Sequence, residues 1–400
     1  MTSSLPFIVA GGGIGGLVTG LTLARKGVPV KVLERAPEIG EIGYGIQIAP
    51  NGHAILDKLG VMEKLVDSVF YPDALILVDA IDMNEVSRID LGNAFVQRYK
   101  YPYFVVHRRD LHDALMQTCR AEKNFSFEAG EVDSYENHPD HVVVNLADGR
   151  SLQARAMIGC EGLRSKTRAR IVDDGGPRST GYVVYRGLVP VEDISNKAYL
   201  NSMVIYGGPG CHMVQYRLRG GTVMNNVATF RSPSYAHGNP SYGGVDEFKA
   251  AYTDCAPEIK DMLKYFSLDK NWLLHDVLPA THWTDGNVTL LGDSAHATLQ
   301  YLAQGAIMAM EDAVVLADEV AQHPDDIHQA FLNYQAQRLN RTARVISTAR
   351  LFGSIVHARA GERLLRNDFA KSRDVNVPWE IDWLYRGANL LDKIQGAAQA

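Results

Sequence analysis

The sequence predicts an α/β chain: a parallel-sheet domain, interleaved with a mostly antiparallel sheet and followed by helices. Three observations carry that expectation. The chain opens on a strand, a glycine turn, a helix and a second strand, spanning residues 7–33. Segments between Gly181 and Phe230 alternate with the period of antiparallel strands. A short apolar strand, Val288–Gly292, then runs into a loop and a helix starting near Gly305, a second unit of the opening type.

Composition sets the bounds. A chain of 400 residues has room for two or three domains, and its 46% hydrophobic and 22% charged residues are those of a soluble globular protein. A net charge of -6 without a long basic run argues against nucleic acid as the main partner. Cys119, Cys160, Cys211 and Cys255 are dispersed and form no CxxC pair, which fits a reducing cytosol and no structural zinc. Leu5–Ala24 is free of charge over about 20 residues, the length of a membrane span. It holds six glycines and follows no basic segment, so it reads as strand, turn and buried helix, with no membrane signal.

The elements follow in order. Phe7–Ala10 is a central strand, and Gly11–Gly16 matches GxGxxG. The helix after it carries Leu17, Val18, Leu21 and Ala24 on one face, and strand Val30–Leu33 stops at Glu34. Such glycines allow a tight turn, close approach to a pyrophosphate and close helix–strand packing, while the acid accepts ribose hydroxyls. Strand, helix and acid together make dinucleotide binding the reading, in a Rossmann-like unit. A glycine-rich excursion over Glu41–Gly52 is long enough to wrap an extended ligand. Ala74–Asp79 and Glu85–Leu91 read as a hairpin, and His107–Leu111 opens an amphipathic helix with Arg108 at its start. His107 and His112 have no further ligand to complete a metal site. Phe125–Gly130, His141–Leu146 and Ser151–Gly159 read as strands, and Asp174–Pro177 marks a boundary. Gly181–Pro190, Met203–Tyr206, Cys211–Leu218 and Thr222–Phe230 form the antiparallel sheet. Val245–Phe266 reads as helix, Val288–Leu291 re-enters the first sheet, and Ile327–Phe369 is helical and Arg-rich, with Phe331, Tyr334, Leu339, Ile346 and Leu351 apolar. The resulting division is 1–73, 101–177 and 287–325 for the nucleotide domain, 74–100 and 178–286 for the second domain, and 326–400 for the helical region.

Two stretches carry candidate chemistry. In Leu290–Asp312 a glycine-bearing loop feeds a helix N-terminus, whose free N–H groups and dipole suit an anion. Asp293, just past the strand, can accept hydrogen bonds from a polyol. In Cys211–Tyr216 the alternation puts His212 and Tyr216 on one face. From the residues alone, His212 reads first as a satisfied or exposed sheet histidine.

Four motifs stand in fixed order: Gly11–Gly16 with Glu34, Arg108 in HRRDL, Cys160-Glu161-Gly162 with Ser165, and Gly292-Asp293 with Gln304-Gly305. This set resembles the single-component FAD-dependent aromatic hydroxylases, over roughly residues 5–350. The resemblance implies tightly bound FAD, with NADH as a transient co-substrate, O2 and a homodimer. It places Gly13, Ile14, Gly15 and Gly16 at the pyrophosphate, Glu34 and its neighbour Arg35 at the adenosine ribose, and Gln47 and Arg108 along the flavin chain. Asp293 falls at the ribityl or pyrophosphate region, and Gln304 and Gly305 at the isoalloxazine.

The activity it implies is para-hydroxylation of 3-hydroxybenzoate to gentisate through a flavin hydroperoxide. Electrophilic attack wants a phenolate, and a phenol with a pKa near 10 then wants a base. Gentisate-forming relatives pair a histidine with a glutamine from the flavin loop, which implies His212 as base, Gln300 as its helper and Tyr216 as substrate contact. His296 is read as structural. Arg186 and Arg217 are both candidates for the substrate carboxylate. The chain departs from the family where Glu161 replaces an aspartate, Ala297 and Gln300 replace prolines, and Ala303 replaces a glycine. Hydroxylation of salicylate or another hydroxybenzoate stays open, as does an FAD oxidase, reductase or non-catalytic FAD-binding protein.

Overall fold

The structure is a computed structural model that describes residues 5–36, 44–372 and 381–386. Glu41–Gly43 of the glycine-rich excursion lie outside the described residues, as do 373–380 and 387–400 of the C-terminal region.

Phe7–Ala10 is buried at every position, as a central parallel strand must be when both faces are covered. It pairs in parallel with Val30–Glu34 on one side and Ala156–Gly159 on the other. Phe125–Ala129 and Val288–Leu290 extend the sheet in parallel, and Thr284–Asp285 closes one edge in the antiparallel sense. Residue 288, more than a hundred positions after 159, therefore returns to the same sheet. Gly11 has φ +112, and a Cβ on Gly16 would stand 1.9 Å from the Gly11 carbonyl oxygen. No other residue fits that turn. The helix Ile14–Arg25 then packs against Gly305–Gln322: a Cβ on Gly15 would lie 3.0 Å from that of Ala309.

The second sheet has seven strands in the order Ser267–Asp276, Arg178–Pro190, Val223–Arg231, Cys211–Leu218, Met203–Gly208, Ala74–Asp79 and Glu85–Asp90. All neighbours are antiparallel except Met203–Gly208 with Ala74–Asp79. Five strands escaped the sequence reading, among them Phe104–His107 and the short edge Thr284–Asp285. Ser267–Asp276 is an edge strand without clean alternation. Val132–Asn137 joins Val142–Leu146 and Ser151–Ala154 in a small antiparallel sheet. Gly45–Ile48, read as part of a loop, pairs with Phe104–His107.

Val245–Phe266 is not one helix. It divides into Val245–Ala251, Pro257–Asp261 and a 3-10 turn, Met262–Tyr265. Pro257 cannot continue a helix and holds Ala256 extended, at ψ 154. The Arg-rich region forms Ile327–Val356, Ala360–Ser372 and Asp382–Tyr385. Phe331, Tyr334 and Ile346 are buried in it as expected, but Leu351 is 62% exposed while Arg338 is 2% exposed. The inward face of the long helix is thus set by charge pairing as well as by apolar residues.

Candidate active site

One cavity of about 500 Å³ runs from the first glycine turn to the face of the seven-stranded sheet. Gly13, Ile14, Gly15 and Gly16 line one end, and His212, Val214 and Tyr216 line the other. Between them stand Gln47, Arg108, Asp293, Gln300, Gln304 and Gly305. Residues 212, 214 and 216 project to one side because their strand alternates, so the predicted shared face is real and is the cavity wall. Arg217 points away: it donates to Gly221 and Asn201 and lies over Phe70. Arg186 does line the cavity, its guanidinium 5.1 Å from the Tyr44 ring and 5.9 Å from the Trp272 ring.

Glu34 and Arg35 stand outside the cavity wall. The Glu34 carboxylate accepts from Gly12 N–H at 2.7 Å and Ala36 N–H at 3.0 Å, so it clamps the glycine turn from the strand end. His112, considered in the sequence only as a metal ligand, lies 2.8 Å from the Gly12 carbonyl through Nε2. Glu161 is turned inward to the following helix. It accepts from Ser165 at 2.7 Å and Thr167 Oγ1 at 2.8 Å, leaving Cys160 and Gly162 as the cavity residues of that motif.

The flavin loop rests on a buried ionic cluster. Gly292 N–H and His296 both meet the Asp312 carboxylate, as the structural reading of His296 requires. Arg338 donates to Asp312 at 2.6 Å and to Glu311 at 2.7 Å, and Arg341 donates twice to Glu311. Asn51 donates to Glu311 and to the side-chain Oε1 of Gln304, bridging the two. Burial raises the Asp312 carboxyl, but His296 and Arg338 overcome this and hold it at about 2. Ala303 sits in the left-handed region at φ 52, the conformation for which glycine is the easy residue.

These residues fit a dinucleotide. The buried Nε2 of Gln304 has no partner within the described residues although the side chain is fixed through its oxygen. A Cβ on Gly13 would meet nothing within 4 Å, so that glycine faces open space. The helix Gly305–Gln322 starts at the same wall and presents unpaired N–H groups there.

At the sheet end, His212 is 2% exposed and Tyr216 is 3% exposed. Burial, then the neighbouring His357, keeps His212 well below the usual histidine range. Burial pushes the Tyr216 hydroxyl up, so it stays protonated. Gln300 donates to Thr229 Oγ1 at 3.2 Å, and Thr229 is the register partner of His212 on the adjacent strand. Thr229 thus ties the Gln300 amide to the rung of the sheet that carries His212. Nδ1 of His212 is engaged elsewhere, 2.7 Å from Nε2 of His357, a residue that no motif singles out.

The chain matches the FAD binding domain family over residues 4–197 and 256–349. It is 40% identical to a 3-hydroxybenzoate 6-hydroxylase of Polaromonas naphthalenivorans (strain CJ2), covering 96% of each chain. A 3-hydroxybenzoate 6-hydroxylase 1 of Aquipseudomonas alcaligenes is 38% identical, covering 94% of this chain and 96% of that one. In fold it resembles Klebsiella pneumoniae HpxO complexed with FAD and uric acid, with a TM-score of 0.81 at 23% identity, covering 98% of this chain and 97% of that one. The chain belongs to the FAD-dependent aromatic hydroxylases and is similar there to the 3-hydroxybenzoate 6-hydroxylases.

Proposed function

We propose that this protein hydroxylates 3-hydroxybenzoate para to its ring hydroxyl, giving gentisate with electrons from NADH. The observation that carries the reading is the single cavity. It joins the dinucleotide turn at Gly13–Gly16 to a buried histidine, a tyrosine and Arg186, which makes no ion pair among the described residues and suits a phenolic acid. Bound FAD supplies the reducing equivalents taken from NADH and the activated oxygen. Residues 1–73, 101–177 and 287–325 hold it in this reading, and 74–100 with 178–286 hold the substrate.

The chain's own residues do the rest. His212 takes the phenol proton at Nε2. Its lowered basicity keeps it neutral near pH 7, so the lone pair is available at working pH. A base that weak does not hold the proton in the ground state; transfer accompanies attack by the ring, where the phenol becomes far more acidic. Gln300 supports the same hydroxyl, and Tyr216 fixes the ring. Arg186 holds the substrate carboxylate. It faces the cavity on the same row of the sheet as Val227 and Val214, two strands away from the His212 strand. Buried walls around this end exclude water from the reacting ring.

His212→Ala tests the reading. It keeps FAD and still binds the aromatic acid, while hydroxylation falls by about 100-fold or more, the usual worth of a general base. Gln300→Ala acts in the same direction by about tenfold, the worth of one hydrogen bond. Normal turnover by the His212 variant would remove the base assignment.

A further inference from the structure

We propose that His357 is the positioning residue that fixes which nitrogen of His212 meets the substrate. The proposal rests on His212 acting as the base. The two rings lie 4.9 Å apart with Nδ1 of His212 and Nε2 of His357 at 2.7 Å, a hydrogen bond between buried groups. Two neutral imidazoles at that distance share one proton. If His212 donates, its Nε2 is left as a bare lone pair, which is the form a base needs at the cavity.

His357 is held firmly enough to impose that choice. It follows the helix Ile327–Val356 as its cap. Tyr182 stacks on it at 4.4 Å, and Tyr301 packs against both histidines at 5.5 and 5.6 Å. Its carbonyl accepts from Gly210 N–H, one residue before the strand that carries His212. Burial, then the Arg359 cation, pushes its basicity down to about 3, so His357 stays neutral and can accept through a bare Nε2. The ionisable groups around the pair are Tyr182, Tyr301, Arg359 and Tyr252, whose hydroxyl donates to the His212 carbonyl. Among the described residues, no carboxylate makes a hydrogen bond or ion pair with either ring. When the phenol O–H breaks and Nε2–H forms, the new imidazolium keeps its Nδ1–H on His357, and the charge stays on His212. The C-terminal helical region thereby becomes part of the active site, through a contact 145 residues away in sequence.

His357→Phe and His357→Gln in the FAD-loaded full chain test this. Phe keeps the stacking and loses the lone pair; Gln retains an acceptor oxygen. The expectation is a fall in hydroxylation kcat of about 10- to 100-fold for Phe, with KM for the aromatic acid nearly unchanged, and recovery of most of it by Gln. Wild-type rates in the FAD-bound Phe variant would overturn the proposal, and so would a Gln variant no better than Phe. The tautomer can also be read without any variant at His357. Imidazole ¹⁵N shifts of the wild-type protein, with the His212 signal assigned by its loss in His212→Ala, should show Nδ1 protonated and Nε2 bare. The reverse pattern would overturn it. Failure to hydroxylate 3-hydroxybenzoate would instead count against the substrate reading and leave the tautomer result standing.

Discussion

Replacing Arg338 with methionine should destabilise the protein by about 3 kcal/mol at neutral pH, through an uncompensated charge left in the core. Arg338 makes two charge-assisted hydrogen bonds, to Asp312 at 2.6 Å and to Glu311 at 2.7 Å. At about 1.5–3 kcal/mol each they bracket a loss of roughly 3–6 kcal/mol. The lower end applies, because Arg341 still neutralises Glu311 and His296 still meets Asp312. The pH dependence follows from Asp312, whose carboxyl lies at about 2 in the fold against an ordinary 3.8. A depressed carboxylate contributes stability that is fully present above the ordinary value and is lost as pH falls through the folded one. Wild type and variant should therefore differ fully at pH 7 and converge as pH drops from about 4 toward about 2. Urea unfolding followed by circular dichroism at both ends of that range measures the difference. FAD release should also become easier, because Gln304 is held through Asn51 and Glu311. A loss below about 1 kcal/mol at pH 7, or one independent of pH, would refute the ionic account of this cluster.

Three further substitutions separate cofactor space from fold and anion binding from catalysis. Gly13→Val should lose FAD and melt as the FAD-free wild type does, because its side chain enters open space; Gly16→Ala should fail to fold, because its Cβ would strike the Gly11 carbonyl at 1.9 Å. Flavin content and melting temperature read both. Arg186→Leu should raise KM for the aromatic acid by about 10- to 100-fold, the worth of a charge-assisted hydrogen bond, with kcat largely kept at saturation. An unchanged KM would return the carboxylate to another group.

The glycine turn, its helix and the acid at Glu34 were legible because each is local: a few adjacent residues define turn, helix start and strand end. The strand carrying His212 and Tyr216 was legible because alternation fixes its faces. The same alternation excludes Arg217, one position out of phase with Tyr216, and so could have separated it from Arg186. Gly45–Ile48 was missed because four residues that begin on a glycine show no pattern until Phe104–His107 pairs with them. The single helix drawn over Val245–Phe266 overrode the local meaning of Pro257. Arg338 reads as a surface residue of an Arg-rich helix, and only the opposing Glu311 and Asp312 bring it inside. His357 is the clearest limit, since nothing in its own neighbourhood announces a partner 145 positions earlier.

The central claim is that one cavity binds FAD and converts 3-hydroxybenzoate to gentisate. NADH consumption by the purified FAD-loaded protein, with and without 3-hydroxybenzoate and with products separated by chromatography, tests it most directly. The account predicts strong stimulation and gentisate in near-stoichiometric yield. Catechol from salicylate, with 3-hydroxybenzoate untouched, would contradict the substrate assignment, and no stimulation by any hydroxybenzoate would contradict the hydroxylase mechanism drawn from this cavity.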